Sequence, residues 1–139
     1  MDAPRPRVSI GSDIVEVARV ERLINRYERA ERRLFTDAEI DYCRARRNWH
    51  EHMAARFAAK EAVLKALGTG LGPGMRWTDV EVVRRRGGRP GVELHGEVAA
   101  VAQRRGLASL DVSLTHTAGL ALAHVVAVFD AGPEPCASI

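Results

Sequence analysis

The segment Leu120–Phe129, LALAHVVAVF, constrains the fold more than any other part of the chain. A strand that is apolar on both faces must be covered on both, so it belongs in the middle of a sheet. The preceding run SLDVSLTHT (109–117) alternates and is separated from it by only two residues. The two runs therefore predict an antiparallel pair whose second member is a central strand.

The remaining patterns predict helices that pack on this sheet. Thr36 and Glu39 have the spacing of a capping box, and Gly68 is placed to end a longer helix. The predicted elements are a strand at 8–14, helices at about 16–34, 37–46 and 50–67, a hairpin of strands at 79–85 and 91–96, a helix at 97–106 and the final pair. This order predicts an α+β fold, with helices packed on a mostly antiparallel sheet in a single domain over 1–139. We expect a loose arm at 1–6 and a tail at 131–139.

The composition favours a globular protein with an anionic partner. Hydrophobic residues make up 46% and charged residues 28% of the chain, as in typical soluble domains. No apolar run approaches the roughly 20 residues that span a bilayer, and the N-terminus lacks the apolar centre of a signal peptide. We therefore expect no membrane partner. Cys43 and Cys136 do not have the spacing of a metal site, so we expect them to be free thiols in a reducing cytoplasm. The net charge of +3 favours an anionic partner.

A series of arginines recurs at spacings of three and four residues. Its members are Arg19, Arg22, Arg26, Arg29 and Arg33. Within one helix, this spacing predicts that all five lie on one face. The face can be an ordinary solvated surface with local ion pairs. It can also be a docking surface for an acidic partner, to which arginines give orientation and fast association.

The stretch FAAKEAVLKALGTG (57–70) places charged residues on an otherwise apolar helix. Glu61 and Lys65 are four residues apart, so a helical salt bridge is the simplest interpretation. Gly68 and Gly70 follow the helix, whereas phosphate-binding glycine loops precede one and use its N-terminal amides. A helix C-terminus repels anions. A phosphate bound here would therefore need lysines or a metal ion as its source of positive charge.

Asp13, in GSDIVEVAR, is predicted at the end of the first strand. A strand-end aspartate is usually a cap or turn residue. If the fold brings Asp13 to Glu61, the two carboxylates would suit a Mg²⁺–diphosphate site. His116 and His124 are expected to be buried and hydrogen-bonded, and HEH (50–52) does not have the spacing of a zinc motif.

Several blocks follow one another along the chain with plausible gaps: GSDIVEVARVERL, FTDAEIDYC, RFAAKEAVLKALGTG, GRP and VSLTHTAGLALAHVVA. In this order they resemble the holo-acyl-carrier-protein synthases, the small class of 4′-phosphopantetheinyl transferases. The resemblance covers roughly residues 8–130, and its most specific part is Lys-Glu-Ala-x-x-Lys-Ala-x-Gly-Thr-Gly.

The resemblance implies the fold and the reaction of that family. The family moves 4′-phosphopantetheine from coenzyme A to a serine of an apo acyl carrier protein, with Mg²⁺, and leaves adenosine 3′,5′-bisphosphate. By position, Asp13 and Glu61 would hold the metal, and Lys65 would neutralise charge on the leaving phosphate. Glu61, or a water that it positions, would take the serine proton. The family is typically trimeric, with each coenzyme A site between two subunits.

The resemblance also implies a set of binding residues. Coenzyme A would be contacted by Arg56, Lys60, Gly68, Thr69, Gly70, Pro90, Thr115 and His116. Within this set, Arg56, Lys60 and His116 would contact phosphates, and Pro90 would lie by the adenine. An acidic helix of the carrier would meet Arg19, Arg22 and Arg26.

The chain departs from the family pattern at Ser12, where an apolar residue is usual, and in its longer proline-rich tail from about Ala131. The main alternative is a small basic domain that binds nucleic acid, although only Tyr27 interleaves the arginines, and such domains usually offer several aromatics. A scaffolding trimer without catalysis is a third possibility, against which Asp13, Glu61 and Lys65 count. The leading hypothesis expects no nucleic-acid partner.

Overall fold

The computed structural model describes residues 6–131. Most of the expected arm at 1–6 and of the expected tail at 131–139, including Cys136, lies outside that range. The elements are β1 (Arg7–Glu16), α1 (Val17–Arg26), α2 (Ala30–Leu34), α3 (Asp37–Arg44), α4 (Trp49–Leu67), β2 (Val80–Arg84), β3 (Pro90–Leu94), α5 (Gly96–Arg104), β4 (Leu107–Thr117) and β5 (Leu120–Phe129). The predicted capping box is present, since Thr36 and Glu39 each accept from the other's backbone N–H. None of the helices within residues 6–131 is both long and apolar enough to cross a membrane.

The strands form two antiparallel sheets. The larger has the order β1-β5-β4, and β2 and β3 form a separate hairpin. The last strand is therefore central, as its apolar sequence predicts, and the α+β prediction is confirmed.

Helix α4 crosses one face of the larger sheet, which we call the inner face. The contact is made by small side chains that are fully buried: Ala58, Ala59 and Ala62 on α4, and Ala121, Ala123 and Ala127 on β5. Small residues allow a helix and a sheet to approach closely. The approach is closest at Gly11 of β1, where an added Cβ would lie 1.9 Å from the carbonyl oxygen of Ala62.

The opposite, outer face of the sheet is largely apolar and open. Its exposed hydrophobic side chains are Val8, Ile10, Ile14, Leu120 and Val126. A polar pair interrupts them, because Ser12 and His124 are register partners and their Oγ and Nδ1 atoms lie 2.8 Å apart. The prediction that His124 is buried is wrong. Its neighbours Ala123 and Val125 face the core, so alternation along β5 turns His124 outward.

The helix predicted over 16–34 is also wrong, because it divides into α1 and α2. Tyr27 adopts an extended conformation (φ −118°, ψ 117°) and ends α1. The turn after it directs the chain so that Leu34 and Phe35 reach the core, where they are 7% and 1% exposed. Burial of these two large side chains stabilises the protein more than continuation of a single helix would. The sequence gives no local signal of the break, because it contains no proline or glycine there.

Candidate active site

Asp13 and Lys65 meet where β1 packs against α4. The Lys65 ammonium lies 3.1 Å from Asp13 Oδ1 and donates to the Ser12 carbonyl oxygen at 3.0 Å. Asp13 lies three residues before the end of β1, which is longer than predicted. The absence of a side chain at Gly11 is what lets the strand and the helix bring these groups together.

Glu61 lies one helical turn before Lys65, but the two form no salt bridge in the structure, because Lys65 pairs with Asp13 instead. Burial and then the charge of Asp13 raise the pKa of Glu61, while Lys65 and Arg19 act in the opposite direction. Asp13, Glu61, Lys65 and Arg19 therefore form one electrostatic cluster at the β1–α4 contact.

The two carboxylates suit a divalent cation. Mg²⁺ prefers oxygen ligands and commonly takes one or two protein carboxylates together with substrate phosphates. Burial is the main cause of the raised pKa of Glu61, and the neighbouring Asp13 carboxylate adds to it; a bound cation would oppose both effects. Lys65 alone pairs with only one of the two carboxylates.

Within residues 6–131, a different group of three side chains also has metal-ligand spacing. Ligand atoms of Glu81, Glu93 and His95 lie within 4.8 Å of one another on the β2–β3 hairpin. The Glu81 carboxylate already accepts from Thr36 Oγ1 at 2.6 Å and lies 3.1 Å from His95 Nε2. These contacts satisfy Glu81 without a metal, and the group does not include Asp13 or Glu61.

A cavity of about 200 Å³ lies between α3, α4, the hairpin and β4. It brings together three of the residues predicted to bind coenzyme A, namely Arg56, Pro90 and His116. The rest of its lining is Tyr42, His52, Ala55, Arg84 and Leu114. Sequence reasoning missed Tyr42, His52 and Arg84, because nothing in their spacing indicates that they converge.

Arg56 and His116 differ in how far they are exposed in this cavity. Arg56 is only 4% exposed, and its Nε has no hydrogen-bond partner among the described residues. His116 is 46% exposed at its side chain, with Nδ1 3.6 Å from Glu51 Oε2. The prediction that His116 is buried is wrong, because it lies beside the β4–β5 turn, where the cover provided by the core ends.

Lys60 was predicted to contact a phosphate of coenzyme A, but the structure does not place it in this cavity. Its side chain is 0% exposed and its Nζ lies 2.8 Å from Glu39 Oε1. The same atom donates to the carbonyl oxygens of Trp77, at 3.2 Å, and Val80. An ammonium group has three donors, so Lys60 has none left for a phosphate.

The other predicted contacts are distributed around the sheet. Gly68 ends α4 in the left-handed conformation (φ 79°), and Thr69 Oγ1 donates to the Gly70 carbonyl oxygen at 2.7 Å. Thr115 is paired with Leu122 and faces the outer side, opposite to His116.

The site residues thus fall into two groups within one chain. Arg56 and Glu61 are five residues apart on α4, so their side chains point about 140° apart around the helix. The carboxylate cluster with Lys65 lies on one side of α4, and the cavity with Arg56 lies on another.

The arginine surface is also divided. Arg19, Arg22 and Arg26 lie on α1, but Arg29 and Arg33 follow the break at Tyr27, so the predicted single face of five is wrong. An open groove of about 890 Å³ lies between the two helices, lined by Leu23, Arg26, Tyr27, Glu28, Arg29, Ala30, Arg33 and Leu34. This groove combines cationic rims with apolar side chains.

Known proteins resemble this chain along most of its length. Residues 9–123 match the model of the 4′-phosphopantetheinyl transferase superfamily. The holo-[acyl-carrier-protein] synthase of Solibacter usitatus is 46% identical over 120 residues, which is 86% of this chain and 96% of that protein. The synthase of Moorella thermoacetica is 50% identical over 106 residues, or 76% of this chain and 82% of that one.

The fold is similar to that of a solved relative with its ligand. The crystal structure of the Helicobacter pylori holo-[acyl-carrier-protein] synthase in complex with coenzyme A has a TM-score of 0.75 and 31% identity, covering 85% of this chain and 98% of that one. The chain therefore belongs to the 4′-phosphopantetheinyl transferase superfamily, among the holo-[acyl-carrier-protein] synthases.

Proposed function

We propose that this chain transfers 4′-phosphopantetheine from coenzyme A to a serine of an apo acyl carrier protein, with Mg²⁺. The serine oxygen bonds to the phosphorus that carries pantetheine, the bond from that phosphorus to the bridging oxygen breaks, and adenosine 3′,5′-bisphosphate leaves. The observation that carries the proposal is the cluster of Asp13, Glu61 and Lys65 at the β1–α4 contact. Phosphoryl transfer depends chiefly on positioning and on neutralising charge, and this cluster supplies groups for both.

Each member of the cluster has a role that follows from its chemistry. Asp13 and Glu61 would hold Mg²⁺, which when bound polarises phosphate oxygens and neutralises their charge. Glu61, or a water that it positions, would take the proton of the serine hydroxyl. Lys65 is 53% exposed at its side chain, so its ammonium can exchange the Asp13 contact for the leaving phosphate.

The cavity around Arg56 is proposed to receive the adenosine end of coenzyme A. Arg56, which lines the cavity, and the exposed imidazole of His116 would contact phosphate, while Pro90 would provide an apolar surface for the adenine. Gly68, Thr69 and Gly70 follow Lys65 directly along the chain and would shape the pantetheine side of the site.

The division of these residues into two groups supports a site shared by two subunits. The open apolar outer face of the β1-β5-β4 sheet supports self-association, because side chains such as Ile10, which is 68% exposed, would be buried there. The resemblance to the family makes a homotrimer the expected assembly. Thr115, which lies on that face, would then be next to a neighbouring subunit. Light scattering of the purified chain at about three times the mass of one chain would agree with a trimer, whereas a monomer would contradict it.

The carrier is proposed to dock along α1. Arg19, Arg22 and Arg26 would meet its acidic helix, and Arg19 also acts electrostatically on Glu61, which links the docking surface to the cluster. Reversal of the three arginines to glutamate is expected to raise the carrier KM and leave coenzyme A binding unchanged. We place the reaction in the cytoplasm, which the buried free thiol of Cys43 supports.

Intact-mass measurement of an apo carrier incubated with the chain, coenzyme A and Mg²⁺ tests the proposed function. We expect the carrier to gain one phosphopantetheine and the gain to vanish with EDTA. Asp13→Asn and Glu61→Gln should abolish loading while thermal stability is retained. Loading that persists in both variants would reject the metal assignment, and a wild-type chain that loads no carrier would reject the function.

A further inference from the structure

The outer face of the larger sheet is built from rows of register partners on β1 and β5. The rows pair Val8 with Val128, Ile10 with Val126, Ser12 with His124, Ile14 with Leu122 and Glu16 with Leu120. Only the third of these five rows is polar on both strands. It continues onto β4, where Ser113 is the register partner of His124. We call Ser12, His124 and Ser113 the central polar row.

The central polar row is exposed and keeps hydrogen-bonding groups for a partner. Its side chains turn outward, because their neighbours Gly11, Val112 and Val125 are buried. Ser12 Oγ lies 2.8 Å from His124 Nδ1, and the hydrogen bonds within residues 6–131 leave Nε2 of that ring unpaired. A neutral imidazole has one donor and one acceptor nitrogen, and a serine hydroxyl can both donate and accept. A second copy of the same row can therefore satisfy these groups when they are buried.

The charge of the outer face favours a second copy of this chain over the other proposed partners. Apart from His124, the titratable groups that β1, β4 and β5 present there are two carboxylates, Glu16 and Asp111. Coenzyme A and an acidic carrier are both anionic, so they would meet no complementary charge on these strands. A second copy would instead bury exposed apolar side chains such as Ile10.

A proton on His124 would remove the match between two copies of the row. The imidazolium has two donors and no acceptor, and association would take its charge out of water. The groups that face it, Ser12 on β1 and Ser113 on β4, are neutral. Of the two carboxylates, Asp111 already forms an ion pair, and Glu16 lies two rows away. Protonation therefore opposes association through this face.

We infer that the central polar row matches copies of this chain to one another across the outer face, and that the assembly holds only while the His124 imidazole is neutral. The inference rests on the self-association in the proposed function and names the residue that controls it. Histidine is the side chain whose charge ordinarily changes between about pH 5 and 8. Assembly should be complete at the upper end of this range and decrease as the pH falls. Because the proposed active site is shared by two subunits, transfer activity should decrease with it.

Sedimentation velocity of the full chain at pH 8 and at pH 5.5, over a series of concentrations, tests the inference. We expect the wild type to be assembled at pH 8. At pH 5.5, the concentration at which half of the assembly dissociates should rise by at least about tenfold, since an unpaired charge would be buried. Circular dichroism at both pH values shows whether each chain remains folded.

Three variants assign the effect to one residue. His124→Gln cannot take up a proton but keeps a donor and an acceptor, so it should remain assembled at both pH values. His124→Lys places a fixed charge on the exposed side of β5 and should be monomeric even at pH 8 while remaining folded. His95→Gln is the matched control, because His95 is also exposed, at 48% of its side chain, but lies beside Glu81 on the hairpin. It should dissociate at pH 5.5 as the wild type does.

The outcomes separate this inference from the proposed reaction, which the intact-mass measurement decides independently. A wild type that is monomeric at pH 8 but loads a carrier rejects the inference and leaves the reaction standing. A wild type that assembles with the expected pH dependence but loads no carrier does the reverse. Equal dissociation of the wild type and His124→Gln at pH 5.5, or equal assembly of the wild type at both pH values, rejects the role of His124. An assembled His124→Lys would show that the copies meet through another face.

Discussion

Helix α4 carries two lysine–carboxylate pairs, only five residues apart, that differ in almost every physical respect. Lys60 and Glu39 are both 0% exposed at their side chains and 2.8 Å apart. Lys65 and Asp13 are 3.1 Å apart, with the Lys65 side chain 53% exposed and that of Asp13 17% exposed. We call the first the sealed pair and the second the open pair.

The difference teaches how one helix separates stability from chemistry. In the sealed pair, the second oxygen of Glu39 accepts from the backbone N–H of Val82 at 3.0 Å, so the pair joins α3, α4 and β2 with no group left over. In the open pair, solvent and ligands can reach the lysine. A buried charge must be satisfied inside the protein, whereas an exposed one is free to exchange partners.

Loss of the sealed lysine should have the largest effect. Lys60→Met leaves the Glu39 carboxylate buried without its cation, and the free energy of unfolding should fall by about 3–5 kcal/mol. Urea denaturation monitored by circular dichroism measures this. The double variant Lys60→Met with Glu39→Gln should recover part of the loss. A decrease of less than about 1 kcal/mol would show that the pair contributes little.

Loss of Lys65, the lysine of the open pair, should reduce activity and leave stability almost unchanged. Lys65→Met removes an exposed ion pair, so the free energy of unfolding should change by less than about 1 kcal/mol. The transfer rate should fall about 10²–10³-fold, as when one group that stabilises transition-state charge is removed. Carrier-loading kinetics and urea denaturation on the same preparation give both numbers. A normal rate would remove Lys65 from the proposed chemistry.

The geometry of the open pair can be disturbed without touching its charges. Gly11→Ala places a methyl group against the backbone of Ala62, which cannot move aside as a side chain would. We expect a stability loss of about 3 kcal/mol, at the upper end for overpacking, and lower transfer activity because Asp13 shifts away from α4. The Ser12→Ala variant next to it faces the outer side and should retain activity. Wild-type behaviour of Gly11→Ala would show that the close contact is not required.

The stability of the protein should also decrease at alkaline pH, because the thiol of Cys43 on α3 is buried. Burial raises the pKa of Cys43 from 9.0 to about 11. Between these values the unfolded thiol loses its proton while the folded one keeps it, so stability falls as pH rises, by about 2 kcal/mol at pH 11. Urea denaturation at pH 8 and pH 10 should show a smaller decrease in Cys43→Ala than in the wild type. Equal slopes would contradict the raised pKa.

The sequence predicted most elements of the fold but neither lysine pair, because it paired Lys65 with Glu61 and placed Lys60 at a phosphate. Alternation, capping residues and Gly68 are local signals, which is why β5 could be recognised as a central strand and the end of α4 located. The pairing of Lys65 with Asp13 joins residues 52 positions apart. The resemblance to a family assigned both residues to one site but did not predict this pair.

The features that the sequence did not predict are those that depend on which side of a helix or strand is covered by other elements. Lys60 and Lys65 carry the same charge on one helix, and only the packing of α3 and β2 decides that Lys60 is buried. The break at Tyr27 likewise follows from the burial of Phe35, a tertiary effect without a local signal. The cavity lined by Tyr42, Arg56 and Arg84 gathers side chains from α3, α4 and β2 and has no sequence signature at all.

Strand β1 places two different requirements on alternate residues. Gly11, Asp13 and Val15 face α4, whereas Ile10, Ser12 and Ile14 face outward. Because side chains alternate with a period of two, the gain or loss of one residue would exchange the two sets. The outward positions of β1 can therefore be substituted more easily than the strand can change in length, since an insertion would turn Asp13 away from Glu61 and press the outer side chains into the helix.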